Sequence, residues 1–382
     1  MIRVTLYRMA GDAIELDIED QADVFKLKKV VSALLSVPPA CQKLVLGEVV
    51  LEGAEMLAPL SCGGRDATLA LTLVVCLEAA YQGLGGPDPE DRRQALSDLA
   101  SVGPACGEQA VADVAQCLED LDPQVRRAAV SALPKVARRG DGRAVAQVAA
   151  RVRHAHPDVR RAAREALCRV AERGDAEAVE VLLECMDGSD PDLRFEAVEA
   201  LPKLAEKDSD RAIAAMARRL EDAEYLVRSA ASLALPRVAS RGNRCAISEV
   251  LFRVRHRESG VQRSAMITLP ELVERGDAPI GLFVKSCLAE QCDVGVRRAA
   301  LQALAKISER GDGQTVAILT SHLQHQDFLV RRAAVEALGW VAEAEDAGVI
   351  AKVSKLLKDR NAVVRQAAAS TLQDLHGSDE SD

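Results

Sequence analysis

The chain is poor in aromatic residues. Across 382 residues it holds five Phe, three Tyr and one Trp. A β-sandwich core or a deep ligand pocket draws on aromatic bulk, so this profile favours helices packed through small side chains. Long apolar runs are missing as well. No stretch reaches membrane-spanning length, and the opening MIRVTLYRMAG carries no apolar signal core. No membrane contact is expected. A reducing compartment is expected, the cytoplasm, with the nucleus left open. A surplus of basic residues is absent too. Lys and Arg number 49 against 58 Asp and Glu, a formal charge of -9. General binding to a nucleic-acid backbone is therefore not expected, although a local basic stripe is compatible with that balance.

Catalytic patterns are also lacking. There is no phosphate-binding Gly-rich loop, no nucleophile elbow and no dinucleotide fingerprint. Ten cysteines are scattered without a CxxC pair. The closest two, Cys287 and Cys292, have no metal-like neighbour, and most fall at apolar helical positions. They read as reduced, small core residues. His154 with His156, and His322 with His325, have no carboxylate at metal-ligand spacing and read as surface or turn histidines. No catalytic residue, cofactor or metal is expected.

Two regions are present. In residues 1–75, Ile2, Val4 and Leu6 alternate with Arg3, Thr5 and Tyr7, and Ile14, Leu16 and Ile18 alternate after a turn at Met9–Asp12. This predicts a β-hairpin. A helix follows from about Asp23, with Val24, Leu27, Val30, Val31 and Leu34 on one face, ended by Val37-Pro38-Pro39. Strands are expected at Lys43–Leu46, Val49–Leu51 and Thr68–Val75. Residues 76–88 form a Gly-rich connector, which also reads as a short first helix through Leu77, Ala80 and Leu84. Residues 377–382 read as an acidic disordered tail.

Residues 89–376 repeat. Taking a Val-Arg pair as the anchor, copies stand at Val125-Arg126, Val159-Arg160, Leu193-Arg194, Val227-Arg228, Val261-Gln262, Val296-Arg297, Val330-Arg331 and Val364-Arg365, with Asp91-Arg92 as a degenerate first copy. The spacing is 34 residues, except for 35 between Val261 and Val296. Four past the anchor every copy has Ala, and eight past it every copy has Leu. Offsets 0, 4, 8 and 11 share one helical face, so the Ala and Leu are the predicted core. Asp122-Pro123 offers an N-cap and a first-turn proline. Gly140-Asp141, Gly174-Asp175, Gly276-Asp277 and Gly311-Asp312 read as a left-handed C-cap followed by the next N-cap. Helices of twelve to fifteen residues, the second over about 142–153, are expected to alternate. Pro134, Pro202, Pro236 and Pro270 share one register and are expected to kink or end their helices. The Arg-Gly-Asp triplets at Arg139, Arg173, Arg275 and Arg310 are explained by these caps.

The N-terminal order of elements, with Val37-Pro38-Pro39, Gln42–Val45, Leu51-Glu52-Gly53 and Thr68–Leu71, resembles the ubiquitin-like β-grasp fold. That resemblance implies a receptor-binding patch at Met9, Val45, Ala70 and Thr72. The conjugation tail of that family is absent, so a built-in docking module is expected. The Asp-Pro-x-Val-Arg-x-Ala-Ala pattern of Asp122–Ala129 resembles HEAT repeats of the short, lyase-type variety. The fold class expected is an α-solenoid of HEAT-like helix pairs behind a small α+β domain, rigidly fused. The resemblance implies a ladder between units in which the anchor Arg reaches an Asp in the preceding turn: Asp120 with Arg126, Asp222 with Arg228, Asp359 with Arg365. Gln262 breaks it, and an irregular turn is expected within 258–295. The resemblance also places the anchor helices on the concave face.

Two past the anchor, Arg93, Arg127, Arg161, Arg263, Arg298 and Arg332 form an interrupted stripe, with Phe195 in the gap. Two readings stand side by side. One is a solvated face neutralised by Glu165 and Glu336, each four residues on. The other is a groove for an acidic segment of a protein partner. The function expected is a non-enzymatic, monomeric interaction scaffold. The alternative is an enzyme or enzyme subunit of the HEAT-like bilin-lyase type, which a bound chromophore or metal would favour.

Overall fold

The computed structural model describes residues 1–62, 68–289 and 292–376. The acidic tail and the inserted residue near 290 lie outside them. The chain divides into two compact units, one ending at Val181 and one beginning at Leu182.

The first unit opens with a five-stranded sheet: β1 Ile2–Arg8, β2 Ala13–Ile18, β3 Gln42–Leu46, β4 Val49–Leu51 and β5 Thr68–Val75, in the order β2-β1-β5-β3-β4. Strands β1 and β5 are parallel and the other pairs antiparallel. Helix α1, Val24–Leu35, makes the crossover. Val24, Leu27 and Val31 meet Ile2, Val4, Leu6, Leu44, Leu69, Leu71 and Leu73 in one apolar core. Leu34, expected on that face, is instead exposed. Ser36 takes a left-handed conformation and ends α1 just before Val37-Pro38-Pro39. This mixed sheet with one crossover helix is a β-grasp arrangement.

The connector is helical: α2, Glu78–Leu84, packs on α3, Pro89–Val102. The Cys76 N–H donates to the Cys41 carbonyl at 2.8 Å, tying the sheet to the start of α2. Burial, together with the Asp98 carboxylate and Cys106 thiol of the first repeat, pushes the Cys41 thiol up to about 11.

From here long and short helices alternate. After α3 come α4 Gly107–Gln116, α5 Pro123–Val136, α6 Gly142–Ala149, α7 Pro157–Val170 and α8 Ala176–Met186, within which the unit boundary falls. The second unit continues with α9 Pro191–Leu204, α10 Asp210–Arg219, α11 Tyr225–Val238, α12 Arg244–Val254, α13 Ser259–Leu272 and α14 Ala278–Ala289. It ends with α15 Val294–Ile307, α16 Gly313–Ser321, α17 Phe328–Val341, α18 Ala347–Lys355 and α19 Ala362–His376. The long, odd-numbered helices from α3 carry the anchors. The short helices run only 8 to 12 residues, shorter than the spacing suggested. The Ala four past each anchor and the Leu eight past it are buried, save for the half-buried Leu372 of the last copy. Alanine lets packed helices approach closely, and each buried leucine contributes about 2 kcal/mol.

The prolines do not end their helices. α5, α9, α11 and α13 each run two residues beyond Pro134, Pro202, Pro236 and Pro270. α7, α15 and α17, which lack a proline at that register, have the same 14 residues. Each of these prolines gives up one bond to the carbonyl four residues back, but its ring holds φ near the helical value, so the chain stays helical through the last turn.

The glycines are not C-caps either. α5 ends at an extended Ala137, and Gly140 lies in the following turn with φ 78°. Its N–H donates to the Val170 carbonyl of the next repeat at 2.7 Å. Gly242 does the same to Leu272, Gly276 to Ile307 and Gly311 to Val341, each at 2.7 Å. Asp208 and Glu345 adopt the same left-handed conformation at this register and bond Val238 and Leu375. Three of the triplets show the whole pattern. The Arg139, Arg275 and Arg310 side chains donate to the carbonyls of Ala171, Ser308 and Ala342, while Asp141, Asp277 and Asp312 cap the next helix. Arg and Gly thus fasten the seam between repeats, and Asp starts the second helix of its own repeat.

The ladder also differs from expectation. Arg126 donates to the Asp120 and Leu121 carbonyls, not to the carboxylate. The Asp120 carboxylate instead accepts two bonds, at 2.7 and 3.0 Å, from Arg92 of the repeat before. Arg194 grips Asp222 and Arg331 grips Asp359 in the same bidentate way. Each Asp also caps its own turn through the N–H two residues on, as Asp120 does for Asp122, which leaves its other edge for the earlier arginine. Burial opposes ionisation of Asp222, but the bonds from Arg194 and the Glu224 N–H outweigh it and hold the carboxyl below its ordinary range. Gln262 keeps one bond to its turn, to the His256 carbonyl at 2.7 Å, so that turn stays regular.

Candidate functional site

The seams commit offsets 0, 4 and 8 of the anchor helices to the interior, apart from exposed Asp91 and half-buried Leu193 and Leu372. Offsets 2, 6 and 10 face away from it, and the sequence is free to vary there. In the first unit α3 packs on α5 and α5 on α7, so Arg93, Arg127 and Arg161 stand in register on neighbouring helices. Arg93 pairs with Glu90 at 2.9 Å and Arg161 approaches Asp158 at 4.0 Å. Arg127 is exposed and has no ion pair among the described residues. Glu165, expected to neutralise Arg161, is taken by Arg169 at 2.6 Å. The other outward positions here are Ser97, Ser101, Ser131 and Lys135, so this face is basic and polar.

The second unit holds Phe195, Arg263, Arg298 and Arg332 at the same register, with Ser229 on α11 between Phe195 and Arg263. Arg332 does pair with Glu336, at 2.6 Å. Arg263 and Arg298 are half-buried and take no ion pair among the described residues. This face also carries Leu233, Ile267 and Trp340, which are 70%, 47% and 47% exposed. The arginine register alone did not point to them. Reading offsets 6 and 10 beside offset 2 would have found all three.

On the sheet, strand pairing sets Ala13, Tyr7, Thr72, Val45 and Val50 in one row across five strands, on the face away from α1. Of the four residues implied by the ubiquitin-like resemblance, Val45 and Thr72 are therefore direct neighbours. Ala70 lies two residues along β5 on the same face, and Met9 is exposed in the β1–β2 turn. Tyr7 and Val50 extend the row and were not singled out. Both follow from the strand alternation that puts Leu6 and Leu51 inside.

No group of three metal-capable side chains occurs among the described residues. Three histidines share one turn position. His154, His256 and His325 stand where Asp120, Asp222 and Asp359 stand in other repeats, and their Nδ1 atoms accept the N–H two residues on. Only Cys41, Cys106 and Cys185 are buried; Cys62 is exposed and the rest are half-buried, so the all-core reading of the cysteines does not hold. Burial pushes the Cys106 and Cys117 thiols up to about 11, which makes them poor nucleophiles. An open cavity of about 530 Å³ between α2 and α4 is lined by Tyr81, Gln109, Asp113, Cys117 and Asp120. Its Asp120 is already committed to Arg92. No helix among the described residues is long and apolar enough to cross a membrane.

The HEAT-repeat pattern matches residues 77–168, 147–236 and 283–377, more than half of the chain. The chain belongs to the HEAT-repeat family. The stretch of this HEAT protein between the matched ranges contains Gln262 and α13, yet it keeps the same helix pair. The comparison with curated proteins gives no match. Among solved structures, an engineered protein from the Northeast Structural Genomics Consortium is 20% identical, over 78% of this chain and 88% of its own, with a TM-score of 0.38.

Proposed function

We propose that this HEAT-repeat protein is a non-enzymatic scaffold for protein–protein interaction. The observation that carries the reading is the placement of its aromatic residues. None of the Phe, Tyr or Trp side chains belongs to the buried core. Ala, Leu and Val fill the interior, and the side chains that contribute most at protein interfaces are all left at least partly in solvent. The outward face of the anchor helices in each unit holds a partner, with Arg93, Arg127 and Arg161 of the first unit and Arg263, Arg298 and Arg332 of the second receiving acidic groups. The sheet row through Tyr7, Thr72 and Val45 docks a second protein. The same domain covers the first end of the helical array, as solenoids require. Support for that role comes from the helical connector and from the backbone hydrogen bond that the Cys76 N–H donates to the Cys41 carbonyl. The protein acts in the cytoplasm as a monomer in this reading, without cofactor or nucleic acid.

Affinity capture from cell extract tests it, comparing the full chain with a variant in which Arg127, Arg161, Arg298 and Arg332 are Glu. A thermal melt confirms that the variant is folded. Loss of captured proteins is expected. An unchanged set would overturn the reading.

A further inference from the structure

We infer that the outward face of α11 and α13 seats a partner segment that combines large apolar side chains with carboxylates. The inference rests on the scaffold reading and specifies the partner's chemistry at one place on it. Leu233 and Ile267 occupy the same register, six past the anchor, on packed neighbours. They are 70% and 47% exposed. The interior does not require them there, since Ser131 and Glu165 fill that register in the first unit. One exposed leucine is ordinary. Two large aliphatic side chains in register, about 10 Å apart across adjacent helices, form a contiguous patch.

The charges around the patch are unbalanced. Arg263 and Arg298 lie toward one end of the helices and Arg237 toward the other, and none takes an ion pair among the described residues. By contrast Lys306 on α15 already holds Glu271 at 2.8 Å. The unpaired guanidinium groups call for planar acceptors, and the aliphatic pair calls for apolar ones. A polynucleotide would meet the first demand only, leaving Leu233 and Ile267 against phosphate and water, and the net charge of -9 opposes its approach. An acidic amphipathic peptide segment meets both.

The test pans a random-peptide display library on the immobilised full chain. Enriched sequences are then measured as fluorescein-labelled peptides by anisotropy. Enriched peptides are expected to carry Asp or Glu together with Leu, Ile or Phe. Their affinity should fall about tenfold or more in Leu233→Ser with Ile267→Ser, the loss typical of an interface hot spot. A similar fall is expected in Arg263→Glu with Arg298→Glu, and no change in Phe252→Ser on α12. Circular dichroism melts show whether each variant folds, and Arg263→Lys with Arg298→Lys supplies a milder second pair. Enrichment of basic or wholly polar peptides, or no enrichment over a control protein, overturns the inference. Peptides that respond only to Arg127→Glu with Lys135→Glu also overturn this seat, while the scaffold reading stands. Peptides indifferent to every pair overturn both.

Discussion

The outward faces of the two units share a backbone and differ in chemistry. In the first, Arg127, Ser131 and Lys135 of α5 present charge and hydroxyl at offsets 2, 6 and 10. In the second, α11 presents Ser229, Leu233 and Arg237 at the same offsets, and α13 presents Arg263, Ile267 and Glu271. Inward offsets 4 and 8 do not differ: Ala129 and Leu133 answer to Ala265 and Leu269, all of them buried. The repeat therefore separates two jobs. Packing fixes one side of each anchor helix and leaves the other free to carry recognition. A surface that varies while its scaffold is constant is where distinct partners can be told apart.

The largest expected effects lie on the constant side. Leu133→Ala and Leu269→Ala should each cost about 3 kcal/mol in denaturant melts, and by similar amounts. A strong inequality would break the claim that both units share one interior. Asp222→Ala should cost roughly 3 kcal/mol, because the Arg194 guanidinium is left largely buried without its carboxylate. Gly311→Ala is expected to cost about 1 to 2 kcal/mol, since φ is 84° there and a new Cβ would crowd Glu343. Equal stability would mean that the seam tolerates side chains as readily as it does at Glu345.

Acid should weaken the seams next. Burial works against ionised Asp312, but bonds from Thr315 and Lys285 prevail and hold its carboxyl at about 2, below the ordinary 3.8. Its stabilisation is therefore complete above the ordinary value and is lost as pH falls toward about 2. Asp312→Asn should flatten that acid limb in a pH series of thermal melts. The smallest stability effect belongs to the variable side. Leu233→Ser with Ile267→Ser should shift unfolding by less than about 0.5 kcal/mol per site. A larger loss would show these side chains to be packing residues and erase the contrast between the faces.

Much of this fold was legible in advance. The alternation of Ile2, Val4 and Leu6 and the recurrence of Ala and Leu at offsets 4 and 8 each report a side chain's distance from an axis, and that depends only on local geometry. The candidate surface was legible in part. Arg127 and Arg298 could be placed on an outward register from spacing alone, whereas the escape of Glu165 to Arg169 could not. Which of two cations a carboxylate takes depends on rotamers and on the approach of the next helix.

By itself the sequence determined the helix pairs, the 34-residue beat, the buried register and the β-grasp order of strands, because periodicity and turn chemistry act along the chain. Only the tertiary structure decided that Asp120 answers Arg92 and not Arg126, that Gly311 bonds Val341 and not its own helix, and that Leu233 and Ile267 share one patch. Each of those outcomes joins residues about one repeat apart. Such pairings depend on the angle and offset at which successive helices pack, and no local pattern encodes that geometry.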